Sequence, residues 1–272
     1  MDVYVLVSTI GRRLAAVEQV LLPPQKGIHY VIVWQSTGLP KPEAEWLHRQ
    51  DVTLDIQSGS GLARSRNRAL ELAVAATADN LADGIIIFAD DDERIAPAAI
   101  AALRTLYSAY PRLDIALCRA RRLETDVYLK SYPKQRTNYV RRPRSYYISS
   151  VEVTMRLRVC HVNLRFDERF GLGSNELCAG EEEVFLHDAT RRGLLAIIEP
   201  IDLCSTPQDT TGSNVLAPLS LRSKGAVYGR CMSFPIALLR CLREALGLAV
   251  RHRCRMWPLM RELLYGLNYI RR

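Results

Sequence analysis

The sequence lacks the features that define several large classes of protein. Its 272 residues include no apolar run near the roughly 20 residues that a membrane-spanning helix needs. The seven cysteines are scattered and form no C-x-x-C pair, so we expect reduced thiols, no structural zinc site and a cytosolic protein. The first apolar stretch is short and has no basic residues ahead of it, so no secretory signal is expected.

Several catalytic and nucleotide-binding motifs are absent as well. The five histidines show no metal-ligand spacing, and no G-x-S-x-G element occurs. The stretch SGSGLARSRNRALELA (58–73) contains two closely spaced glycines, but it lacks the third glycine of a dinucleotide-binding loop and the Gly-Lys-Ser/Thr ending of a P-loop. The sequence therefore points away from hydrolase triads and from both of these nucleotide loops.

Positive charge is concentrated at one end of the chain. Residues 219–272 hold eleven Lys or Arg and two Glu, a balance of +9, whereas the whole chain carries +8. The preceding residues are therefore close to neutral. We predict a main domain over 1–218 and a basic helical extension over 219–272, and such charge asymmetry indicates binding to an anionic surface, either membrane or nucleic acid.

Strands and helices alternate through the first half of the chain. The strands are continuous apolar runs rather than alternating ones, which is typical of a largely parallel sheet covered by helices on both faces. Residues 147–159 alternate like a strand with one solvent-exposed face. Residues 119–147 are rich in Arg, Lys and Tyr, which predicts a loop with short strands. Two helical stretches are predicted at 223–250 and 255–270.

Polar residues follow three of the predicted strands. They are Ser8–Arg12 after the first strand, Gln35 and Ser36 after the second, and Asp90–Asp92 after the fourth. In open α/β sheets, ligands bind at the carboxyl ends of the strands. We therefore expect the three groups to line one crevice.

The run Asp90–Asp92 calls for positive charge nearby, because three adjacent carboxylates repel one another. Either a basic cluster or a divalent cation would supply it, and Mg²⁺ and Mn²⁺ prefer carboxylate oxygens. Alternate residues of a strand end point the same way, so Asp90 and Asp92 could face one ion while Asp91 faces elsewhere. The alternative is an aspartate-rich turn that caps the helix beginning at Pro97.

Two helix starts carry further candidate residues. Arg66 and Asn67, in the first turns of one predicted helix, are candidate site residues. Glu181–Glu183 open another, where the helix dipole alone would favour carboxylates. Glu182 lies one turn before Leu186 on the same face, and a carboxylate at the edge of a cleft is a plausible general base.

Five segments, in this order and approximate spacing, resemble family 2 glycosyltransferases with the GT-A fold, of the bacterial capsule and surface-polysaccharide type. They are VYVLVSTIGRR, GLARSRNRALELA, IIIFADDDE, FDERFGLGSNELCAGEEEVFLHDATRRG and IIEP, and the resemblance covers about residues 1–215. It implies a mostly parallel α/β sheet, a nucleotide-sugar donor, usually a UDP-sugar, and an inverting single displacement onto a saccharide or lipid-linked saccharide.

The resemblance also implies roles for particular residues. Thr9 and Arg12 would lie near the nucleobase and ribose, Gln35 would stand where the family often has a base-reading Asp, and Arg66 would lie near the diphosphate. Asp90, Asp91 and Asp92 match the D-x-D motif that holds the ribose and a Mn²⁺ or Mg²⁺ ion. Glu182 matches the catalytic base, with Glu181 beside it.

Two departures from the family pattern leave alternatives open. Gln35 replaces the usual Asp, and residues 200–212 lack the His that many relatives place after the last strand, which leaves metal dependence open. A nucleotidyltransferase would share the acidic site, although its Gly-rich, Lys-containing loop is missing. A nucleic-acid-binding protein would use the basic tail and residues 119–147, and a catalytically inactive relative is a further alternative.

Residues 234–257 place Leu, Ile and Val among arginines at helical spacing. An amphipathic basic helix of this kind binds anionic membrane surfaces, which suits a peripheral protein on the inner face of the plasma membrane with a lipid-linked acceptor. Alternatively, the apolar face packs on the catalytic domain.

Overall fold

The structure is a computed structural model and describes residues 1–77, 84–143, 145–207 and 215–271. The chain forms two compact units. The first is built from residues 1–60, 64–165 and 188–208, and the second from 61–63, 166–187 and 209–272, so far as these are described. The boundary between residues 218 and 219 remains a prediction.

The first unit is built on a nine-stranded sheet. The strands in chain order are β1 (Val3–Ile10), β2 (Ile28–Gln35), β3 (Val52–Gln57), β4 (Ile85–Asp90), β5 (Arg94–Ile95), β6 (Ile115–Arg122), β7 (Thr137–Asn138), β8 (Val153–Arg156) and β9 (Ala196–Thr206). Their order is β3-β2-β1-β4-β8-β6-β9-β5, and β7 pairs with β9. Strands β1 to β4 are mutually parallel, as are β6 and β9, whereas β8 runs antiparallel between β4 and β6.

The described residues of the two units also form six α-helices. They are α1 (Leu62–Ala75), α2 (Pro97–Ala109), α3 (Glu181–Arg191), α4 (Pro218–Cys231), α5 (Phe234–His252) and α6 (Met256–Arg271). In addition, 3₁₀ helices span Gly11–Val20, Glu45–His48, Tyr139–Arg141, Ser150–Glu152 and Leu157–Val162. Among the described helices, none combines the length and the apolar character needed to cross a bilayer.

The central strands are buried on both faces, as their continuous apolar sequences predicted. Every residue of β4 from Ile85 to Ala89 is at most 3% exposed. Helix α2 and the 3₁₀ helix Gly11–Val20 contribute their apolar residues to the same core. The prediction of an α/β sheet, parallel over its first four long strands, is confirmed.

The prediction of a long strand over 147–159 with one exposed face is wrong. The strand there, β8, has four residues, all of them buried. It lies between β4 and β6, so both its edges are paired and both its faces are covered. The buried Arg156 ends the strand and donates to the carbonyl oxygens of Leu113 (2.7 Å) and Tyr110 (3.1 Å).

The prediction of one helical stretch over 223–250 is also wrong, because two helices occupy it. Helix α4 ends at Cys231 and α5 begins at Phe234. Pro235 stands in the first turn of α5, where its missing N–H costs nothing, and a proline there cannot continue the preceding helix.

In the second unit, α4 and α6 touch backbone to backbone at two glycines. A Cβ added to Gly225 would lie 1.9 Å from the carbonyl oxygen of Leu263, and one added to Gly266 would lie 1.8 Å from that of Arg222. Real Cβ atoms do not come this close to backbone, so a side chain at either position would push the helices apart. The absence of a side chain at these two positions is what permits this packing.

Gly225→Ala and Gly266→Ala are each expected to destabilise the second unit by about 1–3 kcal/mol, the usual effect of overpacking. Gly247→Ala in α5 is the matched control, since a Cβ there meets nothing within 4 Å. Because Ala favours the helix more than Gly does, the free energy of unfolding of this control should be about 0.5–1 kcal/mol higher than that of the native chain. Thermal unfolding followed by circular dichroism measures all three, and equal midpoints for Gly225→Ala and Gly247→Ala would contradict the close approach.

Candidate functional site

The Asp90–Asp92 run lies at the carboxyl edge of the parallel strands. Strands β1 and β4 pair in register with Ser8 opposite Asp90, so the residues that follow both strands meet at that edge. Asp91 is 3% exposed and accepts a hydrogen bond of 2.7 Å from the Thr9 hydroxyl. The first predicted cluster and the third are therefore joined directly.

Arg13 supplies much of the positive charge that three adjacent aspartates require. Its Nε lies 2.9 and 3.0 Å from the two carboxylate oxygens of Asp91, and its Nη2 contacts both Asp91 and, at 2.7 Å, Asp92. These bonds raise the pKa of the Arg13 guanidinium above its usual range, so the side chain stays charged. The 3₁₀ helix that carries Arg13 begins immediately after β1, at Gly11, whose carbonyl accepts from Trp34 Nε1 at 2.8 Å.

Arg66 supplies a second positive charge. Its side chain is 3% exposed, and its Nη2 lies 3.2 Å from Asp90 Oδ1. The preceding residue, Ser65, donates to the hydroxyl of Ser8 at 2.9 Å, which ties the start of α1 to the end of β1. A buried guanidinium held this way is a fixed positive group beside the aspartates.

Glu93 lies beneath the aspartate turn and was missed by the sequence analysis. It is 1% exposed, and its carboxylate accepts a 3.0 Å hydrogen bond from the backbone N–H of Asp90. Burial, and then the neighbouring charge of Asp90, raise the pKa of Glu93 well above its usual range. The carboxylate thus fixes the backbone where the strand ends.

The two remaining predicted donor-binding residues are Gln35 and Arg12. Gln35 is buried at the end of β2, in register with Ile10 of β1 and Gln57 of β3. Arg12 lies exposed in the 3₁₀ helix, and it is the neighbouring residue, Arg13, that contacts the aspartates.

Strand β3 carries a further ion pair, two residues before Gln57. Asp55 accepts hydrogen bonds of 2.9 and 3.2 Å from Arg68, and these hold the pKa of that carboxyl below its usual range. Arg68 is thus paired within the first unit.

Two of the three aspartates have accessible carboxylates that fit a divalent cation. Asp90 and Asp92 are each about one-third exposed in their side chains, at 35% and 34%, while Asp91 is buried. Within the described residues, no group of three or more His, Cys, Asp or Glu is placed to hold a metal. Two outward carboxylates suit Mg²⁺ or Mn²⁺ where substrate phosphates and water complete the ligands, which is a common arrangement for Mg²⁺.

Glu181 and Glu182 begin α3, after Gly180 in a left-handed conformation with φ of 101°. Glu181 is 4% exposed, and a Cβ added to Gly171 would lie 3.0 Å from its carboxylate, so this side chain packs directly on the 171 turn. Glu182 is only partly buried. Of the two predicted catalytic carboxylates, Glu182 is the more accessible to a bound molecule.

The basic and tyrosine-rich stretch, predicted as a loop, encloses a buried ion pair. Lys130 lies 2.8 Å from Glu152, and their side chains are 5% and 0% exposed. Glu152 also accepts hydrogen bonds from the hydroxyls of Tyr132 (2.7 Å) and Tyr146 (2.9 Å). Lys130 packs over the ring of Tyr146 at 4.2 Å.

This cluster lies near the same edge of the sheet as the aspartates. Since Thr154 of β8 pairs antiparallel with Ile87 of β4, residue 152 is at the level where β4 ends. Both Glu93 and Glu152 raise the pKa of the buried thiol of Cys204, after burial itself. A line of buried polar groups therefore runs from the aspartate turn to Lys130.

Neither a protein-family profile nor a curated protein matches this sequence. Solved structures do match its fold. Residues 1–349 of S. aureus TarS match with a TM-score of 0.60 at 15% identity, over 89% of this chain and 66% of that one. The complex of the same fragment with UDP gives 0.58 at 14% identity, again over 89% and 66%.

A third structure, TarS 1–349 with UDP-GlcNAc, matches with a TM-score of 0.57 at 16% identity over 88% of this chain and 67% of that one. This chain thus spans about two-thirds of the TarS fragment and 40% of the longer TarS structure. At such low identity the likeness establishes the fold alone. Together with the strand order and the flanking helices, it shows that this chain has an α/β fold of the GT-A type.

Proposed function

We propose that this chain is an inverting glycosyltransferase that takes a sugar from a nucleotide-sugar, with UDP as the nucleotide. One observation carries the proposal, namely that Thr9, Arg13, Arg66 and Asp90–Asp92 form one connected polar group at the carboxyl edge of the sheet. Ligands of open α/β sheets bind at this edge. The matching TarS structures with UDP and UDP-GlcNAc support the choice of donor.

In this proposal Arg66 stabilises the leaving diphosphate. Its guanidinium is buried and fixed beside Asp90, and a preorganised positive group stabilises negative charge that develops in the transition state. Asp90 and Asp92 would hold a divalent cation, Mn²⁺ or Mg²⁺, and Asp90 and Asp91 the ribose. A bound cation would neutralise charge on the diphosphate oxygens.

Glu182 is the proposed general base, with Glu181 beside it. Its partly exposed carboxylate would accept the proton of the acceptor hydroxyl as that oxygen attacks the anomeric carbon.

The proposed acceptor is a saccharide or a lipid-linked saccharide of a bacterial surface polysaccharide such as a capsule, and the proposed enzyme subtype is family 2. Thr9, Arg12 and Gln35 would face the nucleoside. We place the reaction in the cytoplasm, where cysteines are expected to be reduced.

Binding of UDP, measured by titration calorimetry with and without Mn²⁺, tests this proposal. Asp92→Ala is expected to weaken Mn²⁺-dependent binding by about ten- to a hundredfold, the usual effect of losing one charged contact. Asp2→Ala, which removes a half-exposed aspartate ahead of the amino end of β1, is the matched control and should bind like the native chain.

Other outcomes of the titration are informative as well. UDP binding that does not depend on Mn²⁺ and is unchanged in Asp92→Ala would mean that no cation is needed at this site. Arg13 and Arg66 would then neutralise the charge of the diphosphate. No binding of UDP under any condition would overturn the UDP-sugar proposal.

Binding of nucleic acid through residues 119–147 is less well supported. Three basic residues of this stretch are committed to internal carboxylates, since Arg121 pairs with Asp202, Arg136 with Glu199 and Lys130 with Glu152. A nucleic-acid interface needs side chains that reach phosphates.

A further inference from the structure

Helix α5 has two apolar faces, and only one of them is packed. Ala237, Cys241, Ala245 and Leu248 recur at intervals of three and four residues and are buried against α4 and α6. Leu239, Leu242, Leu246 and Val250 recur at the same intervals on the opposite side of the helix. These four residues, the outer stripe, are 45–72% exposed.

Basic residues border the outer stripe. Arg240, Arg243 and Arg251 are exposed residues of α5, and Arg253 and Arg255 follow its end. The only acidic residue between 234 and 257 is Glu244. It is turned inward, where it contacts Lys224 at 2.6 Å and Tyr228 at 3.2 Å.

We propose that the outer stripe of α5 is a docking face for an anionic lipid bilayer, on which the helix lies parallel to the surface. Leu239, Leu242, Leu246 and Val250 would enter the boundary between headgroups and acyl chains, and the bordering arginines would meet the anionic headgroups. A strongly amphipathic helix with a basic polar side is the kind that binds in this way. This inference does not depend on the proposed catalytic function, because it rests on α5 alone.

Charge favours a bilayer over a second copy of this chain. Two copies joined through the outer stripe would bring the arginines of both helices to the rim of the same interface, where like charges repel. An anionic lipid surface attracts the same residues, each Lys or Arg near it contributing about fivefold in binding. The charges point to surface binding rather than insertion, since α5 has 19 residues but carries the exposed Arg240, Arg243 and Arg251.

Vesicle co-sedimentation tests the docking face. The probes are vesicles of phosphatidylcholine alone and of phosphatidylcholine with phosphatidylglycerol. The native chain is expected to sediment with the anionic vesicles and to stay in solution with the neutral ones. A double variant, Leu242→Glu with Leu246→Glu, is expected to lose most of this binding, since charged residues in the stripe would have to leave water.

Two further variants separate the outer stripe from general effects. Val140→Glu changes a residue of the first unit as exposed as Val250, both at 72%, and should bind vesicles like the native chain. The triple change of Arg240, Arg243 and Arg251 to Gln leaves the packed face of α5 intact and should weaken binding about a hundredfold, from roughly fivefold for each arginine.

Three results would overturn the inference. They are equal binding to neutral and anionic vesicles, unchanged binding of both the double and the triple variant, and a dimer that forms without vesicles and is lost in the double variant. UDP titration of the same variants distinguishes this inference from the proposed function, since the outer-stripe variants are expected to bind UDP like the native chain.

Discussion

Glu152→Ala is expected to lower the free energy of unfolding by about 3–5 kcal/mol, the usual effect of breaking a buried ion pair. The carboxylate has no exposed surface and holds Lys130 and the hydroxyls of Tyr132 and Tyr146. Burial raises the pKa of Glu152, and Lys130 acts against that increase. Without the carboxylate, the Lys130 ammonium would remain buried without its counter-charge.

Urea unfolding followed by tryptophan fluorescence measures this loss, because Trp34 and Trp46 are both buried in the first unit. Glu71→Ala is the control. Glu71 pairs with Arg68 at 3.5 Å where both side chains are well exposed, so its loss should change stability by no more than about 0.5 kcal/mol.

Glu152→Gln is a milder second variant, which keeps the prediction testable if Glu152→Ala does not fold. Its amide keeps one acceptor oxygen and removes the charge, so an intermediate loss of about 1–3 kcal/mol is expected. If both Glu152 variants were as stable as Glu71→Ala, the buried ion pair would not stabilise the folded chain by the expected amount.

The second large effect concerns Glu182. Given the proposed function, Glu182→Gln is expected to slow sugar transfer by about 10²–10⁴-fold, the usual contribution of a general base, while UDP binding stays unchanged. The amide has nearly the same shape as the carboxylate but cannot accept the proton. UDP release from UDP-sugar donors, over a panel of saccharide and lipid-linked acceptors, measures transfer, and calorimetry measures UDP affinity.

The neighbouring glutamates are the controls for this experiment. Glu183→Gln changes another partly buried carboxylate of the same helical turn and should leave the rate close to native. A loss confined to Glu181→Gln would move the base to Glu181, which packs on the 171 turn. Native rates in Glu181→Gln and Glu182→Gln alike would exclude both predicted residues as the general base.

The first half of the fold could be predicted because each of its signals is local. An apolar run that ends in Asp90–Asp92 marks both a buried strand and a polar strand end without knowledge of any distant residue. The strand-end rule then placed the aspartates and Thr9 at the same edge, and the structure shows a hydrogen bond between Thr9 and Asp91.

The remaining features depend on residues far apart in the sequence. Arg12 and Arg13 are adjacent, and which of them faces the aspartates depends on the phase of a 3₁₀ helix rather than on composition. Lys130 and Glu152 are 22 positions apart, and no local pattern pairs them. The four-residue strand β8 is too short for a periodic signal, and its burial follows from the two strands that flank it.

The place of β8 in the sheet has a consequence for folding during synthesis. Within the described part of the sheet, β4 (85–90) and β6 (115–122) are linked through β8 (153–156), so a nascent chain cannot join them until those residues have been made. Until then, β4 and β6 each keep an open edge that other chains can pair with. Such long-range pairing slows folding, and we expect the growing polypeptide to be most prone to aggregation before β8 is inserted.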